Sequence, residues 1–324
     1  MGERVAFLLS GGSAIEWLRI QRNSMAAMQR YVIPYNSLEG SLRRLKRHQS
    51  AIESLSRPIQ LITWNREDRR RTKQTICRAM SLPGGLYPCF RIEPGLFCSA
   101  PELVFLQMAR LFDEERLLFL GFELCGRYGI ANGKSFMRPC VCPPASVEAF
   151  LATCSGVHGR KRAVHVLSHV LCGAASPMES ALAICLTIPR DAGGFGLPAP
   201  ELNRSLPVEG EARRLWDTDS ITPDLLWEEA KLAIEYDSDD EHTAAERITV
   251  DSMRRNVLEE MGYRVISVTN GIFSDPVQLE RVASVVAKAL GCDSVEAVDE
   301  EWMLRAAFVR RIRQMAMHPE VLCN

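Results

Sequence analysis

Between residues 231 and 237 the chain reads Lys-Leu-Ala-Ile-Glu-Tyr-Asp. In an extended strand successive side chains alternate between two faces. Leu232, Ile234 and Tyr236 then share an apolar face that belongs in a core. Lys231, Ala233, Glu235 and Asp237 share the other face, where only Ala233 is apolar. Just before it, Pro223–Glu228 reads as another strand, with Asp224 at its start. Carboxylates at neighbouring strand ends suit a hard cation such as Mg²⁺ or Mn²⁺. The plainer account is an edge strand with a solvated acidic face.

The chain has 324 residues, 47% hydrophobic and 24% charged, which suits about two globular domains. This composition excludes a disordered chain. The longest apolar runs fall short of the ~20 residues that a membrane span needs, so no membrane role is expected. No signal-peptide pattern opens the sequence, and the expected location is the cytoplasm. The net charge of −1 is unevenly spread: residues 1–100 hold 16 Lys and Arg against 7 Asp and Glu. A basic half beside an acidic one fits a polyanion-facing surface and a cation-binding centre; two solvated surfaces that merely differ is the alternative.

The expected fold class is α/β (α+β), and the sequence suggests four regions: a basic α+β domain over 1–143, a helical connector over 144–175, a domain over 176–291 and a C-terminal helix over 292–324. In the first, Ser13–Arg22 reads as a helix, and Ser37–Leu55 as a longer basic amphipathic one. Ile59–Thr63 is strand-like, a charged loop over Asn65–Arg71 opens a helix towards Met80, and a short strand pair surrounds Pro94–Gly95. Ser99 as cap, Pro101 in the first turn and Glu102 announce a helix, and a second one follows over Glu114–Arg127. Ser176-Pro177-Met178-Glu179 has the cap, first-turn proline and third-position Glu of a helix start. Helices over Ala244–Met261 and Pro276–Leu290 flank a strand over Tyr263–Thr269. Eleven cysteines at irregular spacing read as reduced, buried thiols. Cys140, Cys142, Cys154 and His158 depart from the usual zinc spacing.

The ordered set Glu179, Asp224, Glu235-Tyr-Asp237, His242, Arg254-Arg255 and Gly262-Tyr-Arg-Val265 resembles the PD-(D/E)XK nuclease superfamily, over about residues 174–291. Within it, the set is similar to the branch of very-short-patch repair endonucleases of bacteria. The resemblance implies a restriction-endonuclease-like mixed sheet flanked by helices, with carboxylates gathered where the central strands diverge. It also implies a Mg²⁺- or Mn²⁺-dependent endonuclease acting on DNA. Asp224, Glu235 and the Tyr236 carbonyl would ligand the metal, and Glu179 would hold a metal-bound water. His242 would act as general base, oriented by Asp251, and Arg254 or Arg255 would contact the scissile phosphate. The family's lysine two residues after the Glu is Asp237 here; Lys231, on the same strand face, is the possible stand-in, about 13 Å away along an extended strand. Without that lysine, a catalytically inactive, nucleic-acid-binding derivative is the alternative. Each residue has a plainer account too: Glu179 as a capping-box residue, His242 as a surface histidine, Asp251 with Arg254 and Arg255 as a solvated helix face.

Gly95-Leu-Phe-Cys98 followed by Ser99-Ala-Pro-Glu102 resembles, more weakly, the strand-to-helix step of AbiEi-type antitoxins and related regulators. It implies a nucleic-acid or protein partner for the N-terminal half. Arg43 and Arg44 on the basic helix, and Arg70 and Arg71 in the basic cluster, are the phosphate-binding candidates, with a solvated helix and a charged loop as the alternative. Ser10-Gly-Gly-Ser13 lacks the P-loop and dinucleotide-loop patterns and reads as a turn capping the first helix.

Overall fold

The computed structural model describes residues 6–22, 28–38, 45–63, 65–237, 244–296 and 299–323, with 244–251 and 299 described by their backbone alone. The chain divides into two units, residues 1–170 with 319–324, and residues 171–318. The fold class is mixed α/β, with mixed sheets flanked by helices. No helix among the described residues is long and apolar enough to cross a membrane.

In the first unit, β1 (Phe7–Leu9) passes through Ser10 into α1 (Gly11–Arg19). Then come β2 (Arg30–Pro34), β3 (Ile59–Thr63), β4 (Arg70–Arg71), β5 (Thr75–Ala79), β6 (Leu86–Glu93) and β7 (Leu96–Ser99). They form one sheet in the order β2-β6-β7-β1-β3-β5-β4. Strand β1 is the fully buried run Phe-Leu-Leu, as suits a strand covered on both faces. It runs parallel to β7 and antiparallel to β3. After the sheet come α2 (Pro101–Met108), α3 (Glu114–Cys125), a hairpin of β8 (Tyr128–Ala131) and β9 (Lys134–Met137), α4 (Pro144–Thr153) and α5 (Arg160–Leu167). The hairpin turns at Asn132-Gly133, both with positive φ (52° and 73°), the conformation that a tight two-residue loop requires.

Three local expectations change in this unit. Where a long basic helix is expected over Ser37–Leu55, the described residues form short 3-10 turns, Tyr35–Ser37, Lys46–His48 and Ser50–Ile52, and residues 39–44 lie outside the described ones. Leu38, Leu45, Ile52 and Leu55 are still buried, so separate turns meet the apolar spacing without a continuous helix. The helix expected towards Met80 is β5, where Thr75 and Ile76 favour an extended chain and β3 supplies a parallel partner. Ser99 is not the helix cap. Its hydroxyl donates to the Leu9 carbonyl at 2.7 Å, and Ala100 holds the N-cap position.

The C-terminal segment 319–323 belongs to this unit. The Arg19 guanidinium holds both oxygens of buried Glu123 at 2.6 and 2.7 Å and also reaches Cys323 Sγ at 3.0 Å.

The second unit opens with α6 (Pro177–Thr187), and Ser176 accepts the Glu179 N–H at its N-cap as the sequence leads one to expect. It continues with β10 (Glu201–Leu202), β11 (Leu206–Pro207), β12 (Ser220–Ile221), β13 (Leu225–Trp227) and β14 (Leu232–Asp237). Then follow α7 (Ala244–Glu260), β15 (Arg264–Thr269), α8 (Asn270–Ser274), α9 (Pro276–Ala289) and α10 (Asp299–Met317). The main sheet has the order β10-β13-β14-β15. Strand β14 is antiparallel to β13 and parallel to β15. It is therefore an inner strand, and the account of a solvated acidic edge strand fails. Leu232, Ala233 and Ile234 are all fully buried, so both faces are covered. On the Ala233 face, Val257 and Leu258 of α7 pack with Leu226 and Tyr263.

Candidate functional site

Register explains how the acids meet. The β13–β14 ladder pairs Leu225 with Ile234 and Leu226 with Ala233. Asp224, one step outside it, turns its side chain onto β14 and accepts the Tyr236 N–H at 2.7 Å. A carboxylate thus takes the place of the next strand residue where the two strands part. Glu235 precedes Tyr236, on the face covered by α7.

Arg254 of α7 reaches this face. Its Nη2 lies 3.0 Å from each Glu235 carboxylate oxygen and 2.8 Å from the Thr222 carbonyl. Glu179, 8% exposed, comes from the first turn of α6. Its Oε2 accepts the Ala175 N–H at 2.8 Å and Asn203 Nδ2 at 2.6 Å. Glu179 therefore serves the helix start and also adds its charge to the cluster.

Burial is the first cause pushing the Asp224 carboxyl well above its ordinary range, followed by the charges of Glu179 and Glu235. The Tyr236 N–H and Arg254 oppose the shift. Burial also raises Glu235, against the pull of Arg254, and Asp237 and Glu179 add to the rise. Three carboxylates from different elements thus share one site with more negative charge than Arg254 relieves. Crowded buried acids of this kind cluster at functional sites.

The remaining expected residues divide. Asp237 ends β14 and lies close enough to influence Glu235. Tyr236 is tied to Asp224 by its N–H and sets its ring edge-on to Phe273. Arg255 turns to the Ser267 hydroxyl on β15. His242, Arg43 and Arg44 lie outside the described residues, and of Asp251 only the helical backbone is described. Arg70 and Arg71 form β4, exposed at the sheet edge of the first unit.

Lys231 stands just outside the strand. It precedes β14 with φ of +49°, in the left-handed region, so it does not follow the strand alternation. Its Nζ lies 3.3 Å from the Tyr263 hydroxyl and 4.4 Å from that ring's centroid. The amine of this turn residue is thereby directed to the Tyr263 ring, which packs with Ala233.

Asp224 and Glu235 have the donor chemistry for a hard divalent cation. Yet no group of three or more His, Cys, Asp or Glu is arranged to hold a metal ion among the described residues. Arg254 is the cation on Glu235 in this arrangement. Asn203, which holds Glu179, and Thr222, which holds Arg254, carry no sequence signal: one lies in a Gly/Pro-rich stretch and the other contributes only a backbone carbonyl.

No family model matches this chain, and no solved structure does. The chain is 26% identical over 198 residues to two proteins of Mycobacterium tuberculosis, from strains CDC 1551 / Oshkosh and ATCC 25618 / H37Rv, each described as uncharacterized. The matched stretch covers 60% of this chain and 62% of each relative's length.

Proposed function

We propose that the second unit is a phosphodiesterase site of PD-(D/E)XK type, with DNA as substrate and Mg²⁺ or Mn²⁺ as cofactor. The observation that carries this reading is the convergence of Asp224, Glu235 and Glu179 from three elements, with Asp224 raised in proton affinity by burial and the charges of Glu179 and Glu235, and Glu235 by burial and the charges of Asp237 and Glu179. The inner position of β14 and the acids at the point where β13 and β14 part agree with the restriction-endonuclease-like fold that the motif order implies. Asp224 and Glu235 would hold the cation, which would polarise a phosphoryl oxygen. Asp224 is oriented for this by the Tyr236 N–H. Glu179 is held in place by Asn203 and Ala175. Arg254 neutralises Glu235 in the resting site.

A second reading is a nuclease-fold protein without turnover, acting in nucleic-acid recognition or regulation like an antitoxin. It is favoured by Arg254 holding both Glu235 oxygens and by Lys231 engaging Tyr263, with Asp237 at the lysine position.

Calorimetric titration of Mn²⁺ into wild type and Glu235→Ala, followed by plasmid nicking with the same samples, separates the two. Metal binding and nicking that both depend on Glu235 support the first reading. Absence of metal binding removes it and leaves the second.

A further inference from the structure

The first unit contains two arginines that the acid site does not use. Arg78 near the end of β5 and Arg110 just after α2 line one pocket, bordered by Gly11 and by the apolar Ile62, Met80 and Leu111. Arg78 Nη1 donates to Gln60 Oε1 at 2.7 Å. No carboxylate pairs with either arginine among the described residues. Burial lowers the Arg78 proton affinity, and the positive charges of Arg71 and Arg110 lower it further. Two guanidinium groups brought together without a counter-ion repel each other, and an anion between them relieves that repulsion.

Gly11 has φ of +51°, and a Cβ there would overlap Gln60 Oε1 at 2.3 Å, so the glycine lets the Gln60 amide stand beside Arg78 at the pocket wall. Its N–H is already taken by Gln107 Oε1 at 3.1 Å, so the attraction for an anion comes from the arginines. Planar guanidinium forks match phosphate oxygens. Ile62, Met80 and Leu111 supply an apolar wall for the organic half of an ester.

We propose that the Arg78–Arg110 pocket binds a phosphate group, free or as a small phosphate ester. This goes beyond the acid site of the second unit and stands or falls independently of it.

The test is calorimetric titration of the full chain with inorganic phosphate, adenosine 5′-monophosphate and adenosine. Saturable 1:1 binding of phosphate or the monophosphate, but not of adenosine, is expected. Arg78→Gln and Arg110→Gln should each weaken it by about tenfold or more, and Lys161→Gln, an exposed charge elsewhere in the unit, by less than about twofold. Monophosphate binding about tenfold tighter than that of phosphate assigns an ester; equal binding assigns the free anion. Arg78 holds Gln60, so circular dichroism checks that variant's folding. The Arg110 guanidinium donates no hydrogen bond among the described residues, and its variant decides the matter if Arg78→Gln does not fold. Absence of saturable binding, or binding that survives Arg110→Gln unchanged, overturns the proposal.

Discussion

Arg254 Nη2 stands 3.0 Å from both carboxylate oxygens of Glu235. Its helix thus delivers a positive charge to an inner strand whose acids would otherwise repel each other without compensation. The side chains are 24% and 13% exposed, so the pair is screened less than a surface ion pair.

Removing either partner should leave the other charge partly buried and unpaired. Arg254→Gln is expected to destabilise the second unit by about 1–3 kcal/mol. Denaturant melts of Arg254→Gln, Glu235→Gln and the double variant should give a coupling of about 1 kcal/mol or more. Additive effects would show that the contact contributes nothing.

The raised proton affinities make stability depend on pH in a defined direction. Asp224 binds a proton more tightly in the folded chain than in the unfolded one. Protonation therefore stabilises the fold as pH falls through the raised value, and the gain is complete below the unfolded value of about 4. Asp224→Asn should melt higher than wild type at pH 8, by about 1.4 kcal/mol per unit of upward shift, and lose that advantage near pH 4. Thermal melts across this range check it; an advantage that grows towards acid would reverse the sign.

Lys231 has φ of +49°, which favours glycine. Lys231→Gly should keep stability within about 1 kcal/mol, because relief of the backbone offsets the lost Tyr263 contact. Lys231→Val should lose about 1–2 kcal/mol or more. If the site cleaves DNA, Lys231→Gly should nick plasmid at a rate near wild type. A loss of activity beyond a hundredfold would place the amine in the chemistry.

Asn203 Nδ2 donates to buried Glu179 at 2.6 Å. Asn203→Ala removes a hydrogen bond to a charged group and should destabilise by about 1.5–3 kcal/mol. Asn203→Ala should have much less effect in a Glu179→Ala background. Equal effects in the two backgrounds, read by urea melts, would argue against the contact.

The C-terminal segment rests against the start of α1. A Cβ at Gly12 would lie 1.8 Å from the Cys323 carbonyl oxygen. Gly12→Ala should displace the segment and destabilise by about 1–3 kcal/mol. Burial pushes the Cys323 thiol up to about 12, which keeps it unreactive. Its release should add one fast-reacting thiol in a thiol-reagent assay at pH 8, and an unchanged thiol count would show that the segment stays in place.

Much of the second unit is legible from local patterns. The helix start at Ser176–Glu179, the strand at 232–237 and the helix–strand–helix run from 244 to 289 follow from caps and periodicity, which act over a few residues. The first unit is harder to read. Phe7–Leu9 is too short for a clear period, and β5 becomes a strand because β3 lies beside it. The spacing of Leu38, Leu45, Ile52 and Leu55 satisfies separate turns as well as a helix, so periodicity alone does not choose.

The sequence by itself determined where α6, β13, β14, α7, β15 and α9 lie and which strand ends carry Asp224 and Glu235. Only the tertiary structure decided what those acids experience. Burial, the approach of Glu179 and the neutralising reach of Arg254 depend on distances between residues 19 to 56 positions apart in the sequence. Lys231 lies on the acid face in an ideal strand, and only the fold shows its left-handed backbone and its contact with Tyr263. Chain periodicity encodes which side chains are apolar; desolvation and Coulomb energy depend on where the folded chain places them.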